Sequence, residues 1–83
     1  MSTLTLTLTL NGGPAEVPAG TTLRQLVAET TGREVAADGT AADGGRLGVA
    51  VAVDRQVVPR SAWDATVPRD GAAVDLVTAV QGG

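Results

Sequence analysis

Thr3-Leu4-Thr5-Leu6-Thr7-Leu8-Thr9-Leu10 alternates a β-branched residue with an apolar one along its whole length. Helical spacing would scatter the leucines around an axis. Strand spacing places Leu4, Leu6, Leu8 and Leu10 on one face. The stretch predicts an amphipathic strand with its Leu face on the core. Asn11-Gly12-Gly13-Pro14 ends it with turn chemistry. A short partner strand over Ala15 to Val17 closes a hairpin.

Downstream, Ala19-Gly20-Thr21-Thr22-Leu23 leads into a helical pattern. Thr22 and Gln25 have the spacing of a capping box, in which the hydroxyl takes an orphan amide and the amide side chain reaches back. Leu23, Leu26, Val27 and Thr30 repeat at helical spacing. The helix is expected from Leu23 to about Thr31, with Gly32 as a left-handed stop. Residues 34–46 are rich in Gly, Ala and Asp and have no period, so they read as a flexible loop.

Gly48-Val49-Ala50-Val51-Ala52-Val53 is a second strand signal, with Val on one face and Ala on the other. Asp54-Arg55 serves as a hairpin turn. Gln56-Val57-Val58 follows as a short strand, and Pro59 ends it. Ser61 to Asp64 suits a single helical turn, and Pro68-Arg69-Asp70-Gly71 a further turn. Ala73 to Ala79 forms the last strand. The order β-β-α-β-β-β gives one α+β domain over residues 1–83, a mixed sheet with one main helix packed on one face. The last strand can lie parallel to the first, with the helix in the connection between them.

Composition narrows the function. The 83 residues include no Cys and no His. Thiol and imidazole catalysis, disulfides and zinc sites built from those ligands are excluded, and no metal site is expected. Trp63 is the sole aromatic residue, and the formal charge is −3. That leaves no stacking platform and no basic footprint for nucleic acid. All six basic residues are Arg. No run approaches the ~20 apolar residues that span a bilayer. The first basic residue is Arg24, so the start lacks the charged region of a signal peptide. A soluble, cytoplasmic protein without a membrane role is expected. A chain of this size is not expected to enclose a deep active site, and no acid/base or nucleophile constellation is visible in it.

One chemical group stands out. Val80-Gln81-Gly82-Gly83 trails from the last strand, and a mobile tail over 80–83 is expected. By composition a Gly-Gly end arises by chance about once in 200 chains, so alone it says little. Glycine has no Cβ, however, and can thread a narrow channel where backbone approaches backbone. A C-terminal carboxylate is also a nucleophile toward the α-phosphate of ATP once a partner enzyme positions it.

The stretch Val49 to Gly83 closely resembles the thiamine-pathway sulfur carrier family. The resemblance rests on the apolar strand ending at Val53-Asp54, Gln56-Val57-Val58-Pro59-Arg60, Trp63, Asp70-Gly71, the last apolar strand and Gly82-Gly83. The front half matches more loosely, through the first strand, the hairpin and the helix entry. Residues 34–46 look like an insertion relative to shorter members.

The resemblance implies a ubiquitin-like β-grasp fold and a protein that is a substrate, not an enzyme. An adenylating enzyme would activate the Gly83 carboxylate with ATP. A sulfur-relay protein bearing a cysteine persulfide would convert it to a thiocarboxylate, and thiazole synthase would take the sulfur. Gly82, Gln81, Val80 and Arg60 are the implied partner-binding residues. No bound cofactor and a monomeric free state are expected. Arg60 fits two roles equally, docking an acidic partner surface or holding local carbonyls, and Trp63 reads as a packing anchor. Two further readings share the fold. One is the small subunit of molybdopterin synthase, whose approach to Gly-Gly is usually Pro-rich, unlike Thr78-Ala79-Val80-Gln81 here. The other is a ubiquitin-like modifier or binding module.

Overall fold

The computed structural model describes residues 4–44 and 48–78. In chain order the elements are β1 (Thr5–Leu10), β2 (Gly13–Pro18), α1 (Leu23–Thr31), β3 (Val49–Val53), β4 (Gln56–Val58), a 3-10 helix (Arg60–Ala65) and β5 (Ala73–Thr78). The strands form one mixed sheet in the order β2-β1-β5-β3-β4. β1 and β5 are parallel, with Thr9 beside Ala73 and Leu10 beside Val74. The remaining pairs are antiparallel. This is the ubiquitin-like β-grasp arrangement that the resemblance implies.

Local chemistry explains each boundary. Asn11 and Gly12 both take positive φ, 50° and 84°, and make a tight two-residue turn from Leu10 to Gly13. β2 therefore begins earlier than the expected Ala15 and runs on through Pro18. It is an edge strand, where proline is tolerated because its missing N–H can face away from the ladder. Asp54 and Arg55 repeat the positive-φ pair, at 50° and 70°, between β3 and β4. The Asp54 carboxylate accepts from the Ala73 amide at 3.0 Å, which ties this turn to the start of β5.

α1 is capped at both ends as its sequence predicts. The Thr22 hydroxyl accepts from the Gln25 amide at 3.2 Å, and Gln25 Oε1 accepts from the Thr22 amide at 2.9 Å. Gly32 is left-handed at φ 71°, and its amide donates to the Ala28 carbonyl. Leu23, Leu26 and Val27 are buried against the sheet face formed by Leu8, Val17, Val49, Val51 and Val74. Leu6 and Leu10 pack at the margin of this core, whereas Leu4 stands out at 71% exposure. The opposite face of the sheet carries Thr5, Thr7, Thr9, Ala50 and Val57, all exposed.

Residues 34–44 have a defined path that the reading of an aperiodic, flexible loop did not foresee. Val35 and Ala41 form an antiparallel bridge and are both buried in the core. Around it, the Ala36 amide donates to the Thr40 carbonyl, the Gly39 amide to Ala36, and the Ala42 amide to Glu34. Arg33 reaches Asp43 across the segment at 3.2 Å. Two apolar residues spaced far from any strand or helix period are enough to anchor it, and no sequence periodicity announces them.

Candidate functional site: the tail end of the sheet

Gly83, Gly82, Gln81 and Val80 lie outside the described residues, as do Thr3 at the start, Gly45 and Arg46 of the expected loop, and Ala79 of the expected last strand. The strand that leads to the tail is well placed. β5 is the central strand, paired on one side with β1 and on the other with β3. Its last residue, Thr78, faces Val49, the first residue of β3. The tail thus follows the end of the sheet at which β3 begins.

Arg60 lies toward the same end. β4 runs antiparallel to β3, and its last residue, Val58, faces Val51. The chain continues past Val51 toward the level of Val49 through Pro59, which is extended at φ −60° and ψ 147°. Arg60 then opens the 3-10 helix and is exposed. With strands about 4.8 Å apart, β4 stands roughly 10 Å across the sheet from β5.

Trp63 fixes this helix. Its side chain is fully buried, and its indole Nε1 donates to the Val58 carbonyl at 3.0 Å. The expected packing anchor is therefore also a clamp between β4 and the helix that carries Arg60. The Leu23 amide donates to the Thr66 carbonyl at 2.9 Å, joining the other end of the 3-10 helix to the start of α1.

Three residues at this site escaped the sequence reading. Arg24 on α1 donates through Nε to the Val35 carbonyl at 2.7 Å and through a terminal nitrogen to Asp64 at 3.0 Å. It binds helix, 34–44 segment and 3-10 helix together, and no local pattern could reveal partners 11 and 40 positions away. Gly39 packs directly on Arg60: a Cβ at Gly39 would stand 2.5 Å from Arg60 Cβ and 2.5 Å from its carbonyl oxygen. Asp38 folds over Thr40, its Oδ1 accepting from the Thr40 hydroxyl at 2.6 Å and from the Thr40 amide at 3.1 Å. These bonds, the Thr40 hydroxyl first, hold the Asp38 carboxyl below its ordinary value, and the nearby Arg60 guanidinium adds to the effect. The seat of Asp38-Gly39 against Arg60 was not legible in the sequence. No hydrogen bond or ion pair occupies the Arg60 side chain among the described residues.

Among the described residues no group of three or more acidic side chains is arranged to hold a metal. No helix there is long and apolar enough to cross a membrane. The surface has shallow depressions, such as that between β4 and residues 66–69.

Comparison with known proteins fits this architecture. The profile of the ThiS family matches residues 8–83. The chain belongs to the ThiS family. Among solved structures it is similar to the thiamine biosynthesis protein ThiS from Geobacter metallireducens, at 27% identity and a TM-score of 0.64, over 94% of this chain and 100% of that one. No curated protein matches the chain. The family match spans both the Arg60 helix and Gly82-Gly83.

Proposed function

We propose that this protein is a sulfur carrier of thiamine biosynthesis whose working group is the Gly83 carboxylate. The observation that carries the proposal is the ThiS family match from Leu8 through Gly83. A carboxylate oxygen of Gly83 attacks the α-phosphorus of ATP in an adenylating enzyme, and pyrophosphate leaves. The acyl-adenylate is then open to a sulfur nucleophile. The terminal sulfur of a cysteine persulfide protein attacks the acyl carbon and AMP leaves. A thiol of the partner proteins then cleaves the resulting acyl disulfide, which releases the thiocarboxylate and leaves a disulfide between that thiol and the donor cysteine. Thiazole synthase accepts that sulfur. In this scheme the protein is a cytoplasmic, monomeric substrate and not an enzyme, and ATP is used by its partner. Gly82, Gln81 and Val80 run through the partner's channel, and Arg60 contacts its surface.

The fold suits such a task physically. A central strand held on both sides gives the tail a fixed origin. Glycines at the end let the backbone enter a narrow channel. One residue of extended chain moves the carboxylate by about 3.3 Å, and even ~1 Å of misplacement can cost about a hundredfold in a positioned reaction.

The test is ATP–pyrophosphate exchange with the cognate adenylating enzyme. Removing Gly83, or adding one Ala after it, abolishes exchange and leaves the thermal melt unchanged. Exchange at the full rate by either variant would overturn the assignment of Gly83. The intact mass of protein from its native host provides a second readout, since a thiocarboxylate exceeds a carboxylate by the difference between sulfur and oxygen.

A further inference from the structure

The 34–44 segment packs on Arg60, the described residue to which the proposed function gives a partner contact. Its turn seats on Arg60 because Gly39 has no side chain there and holds φ at 85°. Asp38, at the tip, is exposed. Both hydrogen bonds from Thr40 go to its Oδ1, so Oδ2 takes part in neither. A carboxylate oriented by Thr40 thus adjoins the glycine that packs on Arg60. The register of β3 with β4 and β5 puts this pair toward the end of the sheet from which the tail follows.

We infer that the 36–40 turn and Arg60 form a single docking surface, read by the partner as adjacent opposite charges. The inference rests on the carrier reading above and names the contact through which the adenylating enzyme recognises this chain. That enzyme presents a carboxylate to Arg60 and a cationic side chain to Asp38. Any partner face that receives Arg60 also meets the turn, because the two backbones are in contact at Gly39. Paired charges of opposite sign contribute to register and partner choice more than to raw affinity, since the reversed pairing places like charges together. Gly39 acts as the positioning residue: it touches no partner atom but lets the turn and Arg60 share one surface.

Asp38→Asn is the informative variant. Asparagine keeps an Oδ1 acceptor for Thr40, so the turn is retained while the charge is lost. The measurement is ATP–pyrophosphate exchange with the cognate adenylating enzyme over a range of carrier concentration and salt. Asp38→Asn is expected to raise KM about two- to fivefold, the scale of an exposed charge pair, with kcat unchanged. Arg60→Ala raises KM by a similar factor. Asp38→Arg raises it further than Asp38→Asn, and all three effects shrink at high salt. A merely structural role for Asp38 would change the melting temperature and leave the KM of the folded protein and its salt dependence as they were. An unchanged or lowered KM in Asp38→Asn overturns the docking surface, because the carboxylate then only screens Arg60. An unchanged KM in Arg60→Ala overturns it also. In either case normal exchange by the wild-type chain leaves the carrier reading standing. No exchange by the wild-type chain overturns that reading, and the surface with it.

Discussion

The side-chain oxygen of Asn11 accepts a hydrogen bond from the backbone amide of Leu76 at 2.7 Å. β1 stops at Leu10, beside Val74, but β5 continues to Thr78. Asn11 has turned into the left-handed region, yet its amide donates to the Val74 carbonyl and its side chain supplies the next acceptor. A side chain thus extends the ladder beyond the strand and secures the part of β5 that leads to the tail. Asn11→Ala loses both this bond and a residue that tolerates positive φ. A net hydrogen bond contributes about 0.5–1.5 kcal/mol, and the left-handed conformation costs Ala roughly 1–2 kcal/mol. Asn11→Gly keeps the turn and loses only the bond. Ala is expected to melt lower than Gly, each kcal/mol corresponding to about 4–8 °C in a domain of this size. Equal melting temperatures would show that the turn geometry contributes nothing.

The two faces of β1 give a second prediction. Leu8 is 1% exposed, and Thr9 beside it is on the open face. Leu8→Ala is expected to cost about 2–5 kcal/mol through lost contacts and a residual cavity. Thr9→Ala is expected to stay within about 0.5 kcal/mol. Chemical denaturation of both variants with a common slope provides the comparison. Similar midpoints would mean that the core does not depend on the Leu face.

Trp63 reports on the site through its own light. It is the sole aromatic residue and is fully buried, so its emission is blue-shifted in the folded protein and moves to the red on unfolding. Trp63→Phe leaves the Val58 carbonyl without its indole donor. An acceptor left unpaired in a buried setting costs about 1–3 kcal/mol, and the smaller ring adds a packing loss. A melt of Trp63→Phe within 1 °C of the wild type would contradict the clamp between β4 and the 3-10 helix.

Much of this architecture was legible in the sequence, and the parts that were not share one cause. The strict alternation of β1 and the Thr22-Gln25 box are local patterns, and the structure reproduces their faces and caps. The order of elements along the chain and the parallel β1–β5 pair were expected from the sequence, whereas the place of β3 and β4 in the sheet came from the structure. Leu4, expected on the core face, stands exposed just before β1. Val35 and Ala41 reach the core without a period, and Arg24 meets Val35 and Asp64 only after α1 has docked. Gly39 against Arg60 is likewise a tertiary contact between segments that no spacing connects. The tail could be read as chemistry, while the surface around Arg60 required the fold.

The Asp38 carboxyl gives a pH dependence with a definite sign. The Thr40 hydroxyl, then the Thr40 amide, hold its pKa below the ordinary 3.8, and the Arg60 charge acts in the same direction. The folded protein therefore favours the ionised form. Its contribution to the turn is complete above the unfolded value near ~3.9 and fades as the pH falls through the lowered folded value. Carboxyl NMR of the folded chain is expected to place the Asp38 midpoint below 3.8. In Thr40→Val the midpoint rises toward that value. A midpoint already at 3.8 in the wild type would mean that Thr40 does not hold the carboxylate.

Gly39 and Gly32 make a matched pair for the close approach to Arg60. Both are left-handed, at φ 85° and 71°. A Cβ at Gly32 meets nothing within 4 Å, whereas a Cβ at Gly39 meets Arg60 backbone and side-chain atoms at 2.5–2.7 Å. Gly32→Ala therefore measures the conformational cost alone, roughly 1–2 kcal/mol. Gly39→Ala adds a clash that backbone must relieve, and overpacking of this kind typically costs about 1–3 kcal/mol more. The partners cannot move cheaply: Arg60 follows Pro59 and opens a helix whose Trp63 is fully buried. Urea denaturation at a common slope gives the difference directly. Gly39→Ala is expected to lower the midpoint further than Gly32→Ala. Equal losses would place the 36–40 turn away from Arg60 in solution, and the shared surface would then have no structural basis.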